Sequence, residues 1–315
     1  MTSRLPAVLV LMVVAAAAAL PGAQQFTSRA LAVRVDVLVT DSRQPVTGLT
    51  ARDFELKDDG VVQAIAEIDH EQLPLNLILV FDTSASVAGA RLRALLDAGQ
   101  SLVEQLRDGD RVTVLSFASR VRLLAPLTPS RQQVRGVLAA LEATGATSLR
   151  DAAFAALALR GADPGRTLLL IFSDGNDTSS WLSTAQVIEA ARRTDAVIYA
   201  VAVTREQTVT RLAVASPGWP GTSTDMQVVR QVTFAVRDAG KFLDGLTRET
   251  GGRVLFATSD ADLRAAFTKT LAEFRDRYVL SYTPTGVAPT GWHRLDVTLK
   301  GKKGKATARR GYFAE

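Results

Sequence analysis

A short run of large apolar residues that ends abruptly at an acid constrains this chain more than any other feature. Residues 77–81 read Leu-Ile-Leu-Val-Phe, and Asp82 follows them directly. A continuous apolar run of this length, without the alternation of a half-exposed strand, is typical of a strand inside a parallel sheet that helices cover on both faces. Ligands of such sheets bind at the carboxyl ends of the strands, where the strand order reverses. We therefore expect Asp82 to lie at a ligand-binding edge.

Two further segments are predicted to bring oxygen atoms to the same edge. Residues 168–172 form a second apolar run, which leads directly into Ser173-Asp174-Gly175. If the two strands are neighbours, they lie about 4.8 Å apart, so Asp82 and Asp174 are close enough to share one cation directly or through water. Between them in the sequence, Gly145 begins a loop that opens a predicted helix and offers the hydroxyl group of Thr147.

These segments together predict a metal site. The candidate ligands are Asp82, Ser84, Ser86, Thr147 and Asp174. Hydroxyl oxygens combined with two carboxylates suit Mg²⁺, with Mn²⁺ or Ca²⁺ as substitutes, whereas zinc prefers nitrogen or sulfur ligands. In the competing interpretation, Asp82 caps a helix and the serines are turn residues. The occurrence of all three segments within an alternating α/β pattern favours metal binding.

The three motifs are D-x-S-x-S from Asp82, G-x-T-x-L-x-D-A from Gly145, and S-D-G from Ser173. They resemble the metal-ion-dependent adhesion site of the von Willebrand factor type A domain family. The resemblance implies a doubly wound, mostly parallel α/β sheet flanked by helices. It also implies a bound divalent cation with an open position, which a Glu or Asp carboxylate of a partner protein fills. Residues 45–49 and 309–313 are similar to the openings and closings of exported bacterial proteins with related domains.

The remaining sequence predicts four parts. Residues 1–23 form a signal peptide, 24–73 the first part of a small all-β sandwich, 74–277 the α/β metal-binding domain, and 278–315 the second part of the sandwich. Period-two alternation begins at Val33, and short strands divided by Pro, Gly and Lys return after residue 278. Neither β segment is long enough to be stable alone, so we expect the two to pair.

The amino-terminal segment predicts export. Arg4 precedes an unbroken apolar stretch over residues 7–20, which ends at Pro21-Gly22-Ala23. The stretch is short for a membrane span of about 20 residues, and no other segment is a candidate span. The predicted location is periplasmic, cell-surface or secreted, with cleavage of the segment or its retention as an anchor both open.

Composition excludes several kinds of site. The chain has no cysteine, which excludes thiolate metal sites, cysteine nucleophiles and disulfides. Its two histidines, His70 and His293, are far apart in the sequence and are predicted to be strand or surface residues. The net charge of +5, from 37 basic and 32 acidic residues, does not argue for nucleic acid as a partner. The basic residues Lys300, Lys302, Lys303, Lys305, Arg309 and Arg310 are expected to solubilise an exposed strand edge.

One connection is too long for the alternating pattern. Residues 204–238 leave the carboxyl end of a predicted strand, whereas such connections usually have about two to six residues. The segment is either a tolerated surface insertion or a rim that selects the partner. Trp219 is the candidate partner-binding residue of that rim, because exposed aromatic side chains are enriched at interfaces.

The function predicted from these observations is an exported, metal-dependent, adhesion-type protein-binding module rather than an enzyme. One alternative is a Mg²⁺-dependent hydrolase of phosphoesters, but position 84 is Ser where such enzymes carry a second acid. A second alternative is a structural envelope scaffold with a vestigial metal site. The last predicted helix, residues 262–277, continues directly into the strand at Tyr278, so we also expect the metal domain and the β part to be mechanically linked.

Overall fold

The computed structural model describes residues 32–70, 73–159, 165–203 and 240–314. The stretch Ala32–Glu315 forms one compact unit. The predicted signal peptide, the 204–238 insertion and Trp219 lie outside the described residues. Across the described parts of the chain, no helix is both long enough and apolar enough to cross a membrane.

A six-stranded mixed sheet forms the centre of the α/β part. Its strands, in spatial order, are β11 (Val254–Ala257), β10 (Val197–Val203), β9 (Arg166–Ser173), β6 (Leu75–Asp82), β7 (Arg111–Phe117) and β8 (Val121–Thr128). All neighbouring strands are parallel except β7 and β8, which are antiparallel. The chain moves outward from β6 in one direction and then from β9 in the other. The strand order therefore reverses between β6 and β9, which is where the predicted acids end their strands.

The burial of β6 explains its continuous apolar sequence. All eight of its residues are buried. Leu77 and Leu79 belong to the hydrophobic core on one face of the sheet, while Ile78 and Val80 belong to the core on the other face. Because both faces are covered, neither set of alternating positions is polar.

Within the described ranges, six helices cover the sheet. One face packs against α1 (Ala90–Glu104), α2 (Arg131–Ala139) and α6 (Asp260–Arg275), and the other against α3 (Leu149–Ala158), α4 (Thr184–Arg192) and α5 (240–249). Ser130, Ser183 and Ser259 begin α2, α4 and α6 by accepting a hydrogen bond from the backbone three residues later. The predicted mostly parallel sheet with flanking helices is thus present as a mixed sheet.

Two antiparallel sheets lie outside the α/β part. The first contains β14 (Lys305–Thr307), β1 (Val33–Asp41), β12 (Tyr278–Tyr282) and β5 (Ile65–His70), with β2 (Gln44–Pro45) beside β1. The second contains β15 (Gly311–Ala314), β13 (Gly291–Leu299), β3 (Phe54–Asp58) and β4 (Val61–Gln63). Each sheet combines strands from both ends of the chain: early and late strands alternate in the first sheet, whereas in the second the late pair β15 and β13 lies beside the early pair β3 and β4. Side chains of both sheets, including Val37, Leu56 and Leu280, share one hydrophobic core.

Two predicted strands are each divided between these sheets. The sequence pattern predicts that residues 61–69 form one strand of a hairpin with residues 54–57, but β4 pairs with β3 in one sheet and β5 pairs with β12 in the other. Residues 306–313 are likewise divided between β14 and β15. A strand that passes from one sheet to another stays extended and keeps its alternation. The crossing therefore leaves no break in the sequence pattern.

A buried arginine connects the α/β part to the first β sheet. Arg277 follows α6 and is 0% exposed. Its guanidinium donates hydrogen bonds to the backbone oxygens of Gly251 at 2.8 Å, Asp36 at 3.2 Å and Thr307 at 3.2 Å, and also to the Tyr199 hydroxyl at 3.3 Å. One side chain thus ties together segments from four distant parts of the sequence.

The carboxyl-terminal arginines also lie at this junction, which corrects part of the sequence prediction. Arg310 pairs with Glu249 at 3.4 Å, and Arg309 donates to the backbone oxygen of Arg34 at 2.9 Å. The four lysines of the same run are exposed, and Lys305 lies on β14 at the edge of its sheet. The predicted role of solubilising a strand edge therefore fits the lysines and is wrong for the two arginines. A run of basic residues in the sequence does not distinguish the two groups.

Candidate functional site

The loops at the carboxyl edge of the central sheet are joined by backbone hydrogen bonds. Thr83, after β6, donates to the oxygen of Phe117 at the end of β7, at 2.8 Å. The oxygen of Thr83 accepts from Thr144 at 2.8 Å, and the amide of Ala85 donates to the oxygen of Gly145 at 3.0 Å. The loop that carries Ser84 and the loop that leads to Thr147 are therefore held side by side.

Asp82 lies at the centre of this edge and is fully buried. One carboxylate oxygen accepts from the amide of Ser84 at 2.9 Å and from its hydroxyl at 2.6 Å, while the other accepts from the Ser173 hydroxyl at 2.8 Å. Burial raises the pKa of Asp82 to about 6; the hydrogen bonds from Ser84 and Ser173 lower it, and the charge of Asp174 raises it further. The two carboxylates are thus close enough to oppose each other's ionisation.

Two of the other candidate ligands, Ser84 and Ser86, lie beside Asp82. The Ser84 and Ser86 hydroxyls are 2.9 Å apart. Since Ser84 donates its single proton to Asp82, Ser86 donates to Ser84 in this pair. Thr147 is buried, and its backbone oxygen accepts from Thr178 and Ser179 in the loop after β9, at 2.8 and 3.0 Å. Thr147 is thereby fixed to the loop that also carries Asp174.

The carboxylates of this edge have no basic partner among the described residues. Neither Asp82 nor Asp174 forms an ion pair there, and the donors to both are hydroxyl groups and backbone amides. A fully buried carboxylate without a cationic partner is costly. Since hydroxyl and carboxylate oxygens are the ligands that Mg²⁺ and Ca²⁺ prefer, the residues present fit a hard divalent cation.

Residues that the sequence interpretation missed hold the loop after β9 rigid. Asp151, in the first turn of α3, accepts from the amides of Trp181 at 3.0 and 3.1 Å and of Leu182 at 3.0 Å. Asp177 accepts from the Arg150 amide at 2.8 Å and from the Ser180 hydroxyl at 2.7 Å. The aspartate that closes the G-x-T-x-L-x-D motif thus supports a neighbouring loop, and its motif position was the only signal of that role.

This fixed loop presents a tryptophan to solvent beside the site. The Trp181 side chain is 96% exposed, although three hydrogen bonds to Asp151 fix its backbone and that of Leu182. Trp219, the rim residue predicted from the sequence, is outside the described residues. Trp181 was missed because a tryptophan next to serines gives no indication of whether it is buried.

A second group of possible metal ligands lies in the β part. Asp58, Asp59 and His293 bring one ligand atom each within 4.8 Å of one another. The buried Asp58 carboxylate already accepts from the hydroxyls of Tyr282 at 2.8 Å and Tyr312 at 2.9 Å, and lies 2.9 Å from the Nδ1 atom of His293. We interpret this group as a hydrogen-bond network that supports the core shared by the two sheets. Both histidines are strand residues, as predicted.

Comparison with known families identifies the central region. Residues 77–176 match the family described as von Willebrand factor type A domain. These residues include β6, β7, β8 and β9 together with every candidate metal ligand. This part of the chain is therefore a von Willebrand factor type A domain, as the sequence motifs predicted.

The similar proteins have limited overlap or identity. An uncharacterized protein of Synechocystis sp. is 32% identical over 96 residues, which is 29% of this chain and 22% of that protein. The chain therefore spans about a fifth of the length of this curated relative.

Three solved structures are also similar. The von Willebrand factor type A structure from Catenulispora acidiphila is 14% identical, covering 88% of this chain and 75% of its own, with a TM-score of 0.47. The vWF domain of the type V pili tip protein Mfa5 from Porphyromonas gingivalis is 17% identical (62% and 93% coverage, TM-score 0.41). Proximal thread matrix protein 1 from the mussel byssus, with a zinc-occupied MIDAS motif, is 14% identical (68% and 48%, TM-score 0.48). None of these similarities bears on what this chain binds.

Proposed function

We propose that this protein is an exported, metal-dependent protein-binding module of the adhesion type. In this proposal a divalent cation is held by Asp82, Ser84, Ser86, Thr147 and Asp174, and it captures a Glu or Asp carboxylate of a partner protein. The observation that carries the proposal is the buried Asp82 carboxylate, which lies beside Asp174 with hydroxyl groups around it and no basic side chain paired to it in the described structure. A divalent cation would offset the charge of two carboxylates and still attract a third.

The proposed cation is Mg²⁺, with Mn²⁺ or Ca²⁺ as substitutes, because every candidate ligand atom is a hard oxygen. The role of this chain's own residues is to bind and orient the cation. Ser84 and Ser173 hold the Asp82 carboxylate in place. The backbone oxygen of Thr147 accepts hydrogen bonds from the loop that carries Asp174, and this fixes Thr147 to that loop. Trp181 and Trp219 are proposed rim residues that contact the partner next to the cation. Export rests on the apolar amino-terminal segment of the sequence.

The domain organisation is part of the same proposal. We infer that residues 24–73 and 278–315 together form a β-sandwich domain into which the type A domain is inserted. The support is that each of the two sheets combines strands from both ends of the chain and that the two sheets share a core.

The first prediction concerns metal binding. Isothermal titration of the purified protein with MgCl₂ or MnCl₂ should show one binding site, and Asp174→Ala should remove it, because the variant loses one of two anionic ligands. Asp174 is only half-buried, so the variant is expected to fold. Asp97→Ala, which removes the same charge from an exposed position of α1, is the matched control and should bind normally.

Equal binding heats in wild type and Asp174→Ala would contradict the proposal. A phosphatase assay with a generic ester in Mg²⁺ tests the enzymatic alternative. Turnover that Asp82→Ala abolishes would replace the binding proposal with a hydrolase.

A further inference from the structure

A groove with unpaired arginines lies directly beside the candidate metal site. It has a volume of about 500 Å³ and runs between the β7–β8 hairpin and the carboxyl end of α2. Thr83, Thr144 and Gly145 line it, and these residues also join the loops of the metal site. We refer to this feature as the arginine groove. Its lining shares backbone with the site, so one bound segment can contact both.

The floor of the arginine groove is apolar. The groove is lined by Leu124 from β8, by Val137 from α2 and by Leu141, which follows α2. These three side chains pack against the core on that face of the sheet and are only partly buried. Their remaining apolar surface therefore offers a contact for one aliphatic side chain.

The rim of the arginine groove carries more positive than negative charge. Arg120 and Arg122 are exposed and line it, together with the carboxylate of Glu142. Neither guanidinium group has an ion pair or hydrogen bond to any residue in the described ranges. By contrast, the arginines at the junction of the α/β and β parts, such as Arg166, Arg277 and Arg310, all have partners. The free guanidinium groups favour a ligand that carries a carboxylate.

The groove itself is held rigid at its end near the metal site. The hydroxyl of Ser119 accepts a hydrogen bond from the amide of Ala146 at 2.9 Å, which joins the β7–β8 turn to the loop before α3. The backbone oxygen of Ala118 accepts from the amide and the hydroxyl of Ser148 at 2.9 and 2.7 Å. A preformed groove loses little free energy to ordering when a ligand binds.

We propose that the arginine groove is a second subsite for the protein partner, and that it accepts an aliphatic side chain followed by a second acidic side chain. The proposal rests on the metal-dependent capture proposed above. In an extended segment, alternate side chains point to the same side and lie about 6.6 Å apart. A carboxylate on the cation therefore places the next two alternate side chains over the apolar floor and then near Arg120 and Arg122. The predicted recognition element is acid-x-aliphatic-x-acid.

Fluorescence anisotropy with short labelled peptides tests this subsite. The probe contains Asp-Ser-Leu-Ser-Glu, and the control peptide contains Asp-Ser-Leu-Ser-Gln. In MgCl₂ we expect the probe to bind about fivefold more tightly than the control peptide, which is typical of one added charge pair at a partly exposed site. The double variant Arg120→Gln/Arg122→Gln should bind both peptides equally. The double variant Arg52→Gln/Arg264→Gln, with the same charge change at exposed positions elsewhere, should keep the fivefold preference.

The outcomes separate the subsite from the metal-dependent capture. If Mg²⁺-dependent binding persists but the preference for the second acid is absent, or survives in the Arg120/Arg122 variant, the groove proposal is overturned and the proposed function stands. If EDTA changes nothing, the proposed function fails, and an arginine-dependent preference for the second acid would still support the groove. Binding of neither peptide, or full displacement of the probe by inorganic phosphate at equal concentration, overturns the subsite.

Discussion

At the scale of single residues, Gly145 sets the shape of the candidate site. Its φ angle is +76°, and a β-carbon at this position would lie 2.6 Å from the Ser119 hydroxyl oxygen. Its backbone oxygen also accepts from Ala85 in the loop that carries the serines. A side chain here would therefore strain the backbone. It would also displace the Ser119 hydroxyl, whose hydrogen bond joins the β7–β8 turn to the loop before α3.

Gly145→Ala is accordingly expected to lower the free energy of unfolding by about 1–3 kcal/mol. Gly136→Ala is the matched control. Gly136 lies inside α2 with open space around it, so the same change should raise stability by about 0.5–1 kcal/mol. Urea denaturation followed by circular dichroism measures both variants. A loss of stability in both, or in neither, would show that Gly145 is not conformationally constrained.

The same scale shows what the sequence could and could not predict about the site. The acid at the end of each buried strand was predictable, because an abrupt change from apolar to acidic residues marks the end of a central strand. The sequence motif contains Ser173, but it does not show that this residue donates a hydrogen bond to Asp82. That contact depends on β6 and β9 being neighbours. The backbone of Trp181 is fixed by Asp151 of α3, a contact between residues 30 positions apart that the local sequence does not report.

At the scale of secondary-structure elements, a buried hydroxyl and carboxylate network connects β3, β12, β13 and β15. Tyr282 and Tyr312 both donate to the buried Asp58. Burial raises the pKa of Tyr312 to about 12, although the hydrogen bond from Tyr282 acts to lower it. Burial and the hydrogen bond to Asp58 also raise the pKa of Tyr282. The folded state therefore disfavours ionised tyrosine.

This predicts a loss of stability in alkaline solution. The contribution of the two tyrosines is fully present below pH 10, where they are protonated in the folded and unfolded states, and is lost as the pH rises from about 10 towards 12. The unfolding free energy, measured in urea at pH 9 and pH 11, should be lower at pH 11. Tyr312→Phe should be less stable at pH 9 but show a smaller decrease between the two values. An equal decrease in wild type and variant would mean that other groups cause the pH dependence.

Strands and helices were more predictable in the α/β part, where they alternate along the chain, than in the β part, where distant strands pair. The sequence predicts a strand over residues 111–117, and β7 has these bounds, with six of its seven residues buried. The division of residues 61–69 between two sheets was not predictable, because Ala64 has no turn chemistry and the alternation continues through it. The partner of β5, β12, lies more than 200 residues away, and short-range patterns do not report it.

At the scale of the whole molecule, Arg277 joins the α/β part to the β part. α6 ends at Arg275 and β12 begins at Tyr278, so this buried guanidinium lies where the expected mechanical linkage would have to pass. That linkage remains a prediction. The hydrogen bonds of Arg277 to Gly251, Asp36 and Thr307 show that the junction is polar and specific rather than an apolar contact.

Arg277→Met should destabilise the protein by about 3 kcal/mol, because it leaves three buried backbone oxygens without this donor. Arg277→Lys should be intermediate, since an ammonium group cannot reproduce the planar arrangement of donors. Arg264→Met, at an exposed position of α6, should change stability by less than about 0.5 kcal/mol. Chemical denaturation followed by both circular dichroism and tryptophan fluorescence measures these effects. Little destabilisation in Arg277→Met would show that the junction does not depend on this side chain.

The pairing of early with late strands in the two β sheets has a consequence for how the chain folds during synthesis. The hydrogen bond from Tyr282 to Asp58 joins residues 224 positions apart, and residues 33–37 of β1 pair with β12. A ribosome that adds about 5–20 residues each second must therefore make the whole α/β part before β1 and β3 meet β12 and β13. During that interval β2 and β4 are available to β1 and β3, but the edges that pair with the late strands are open to other chains. We therefore expect the chain to be most prone to aggregation during this interval.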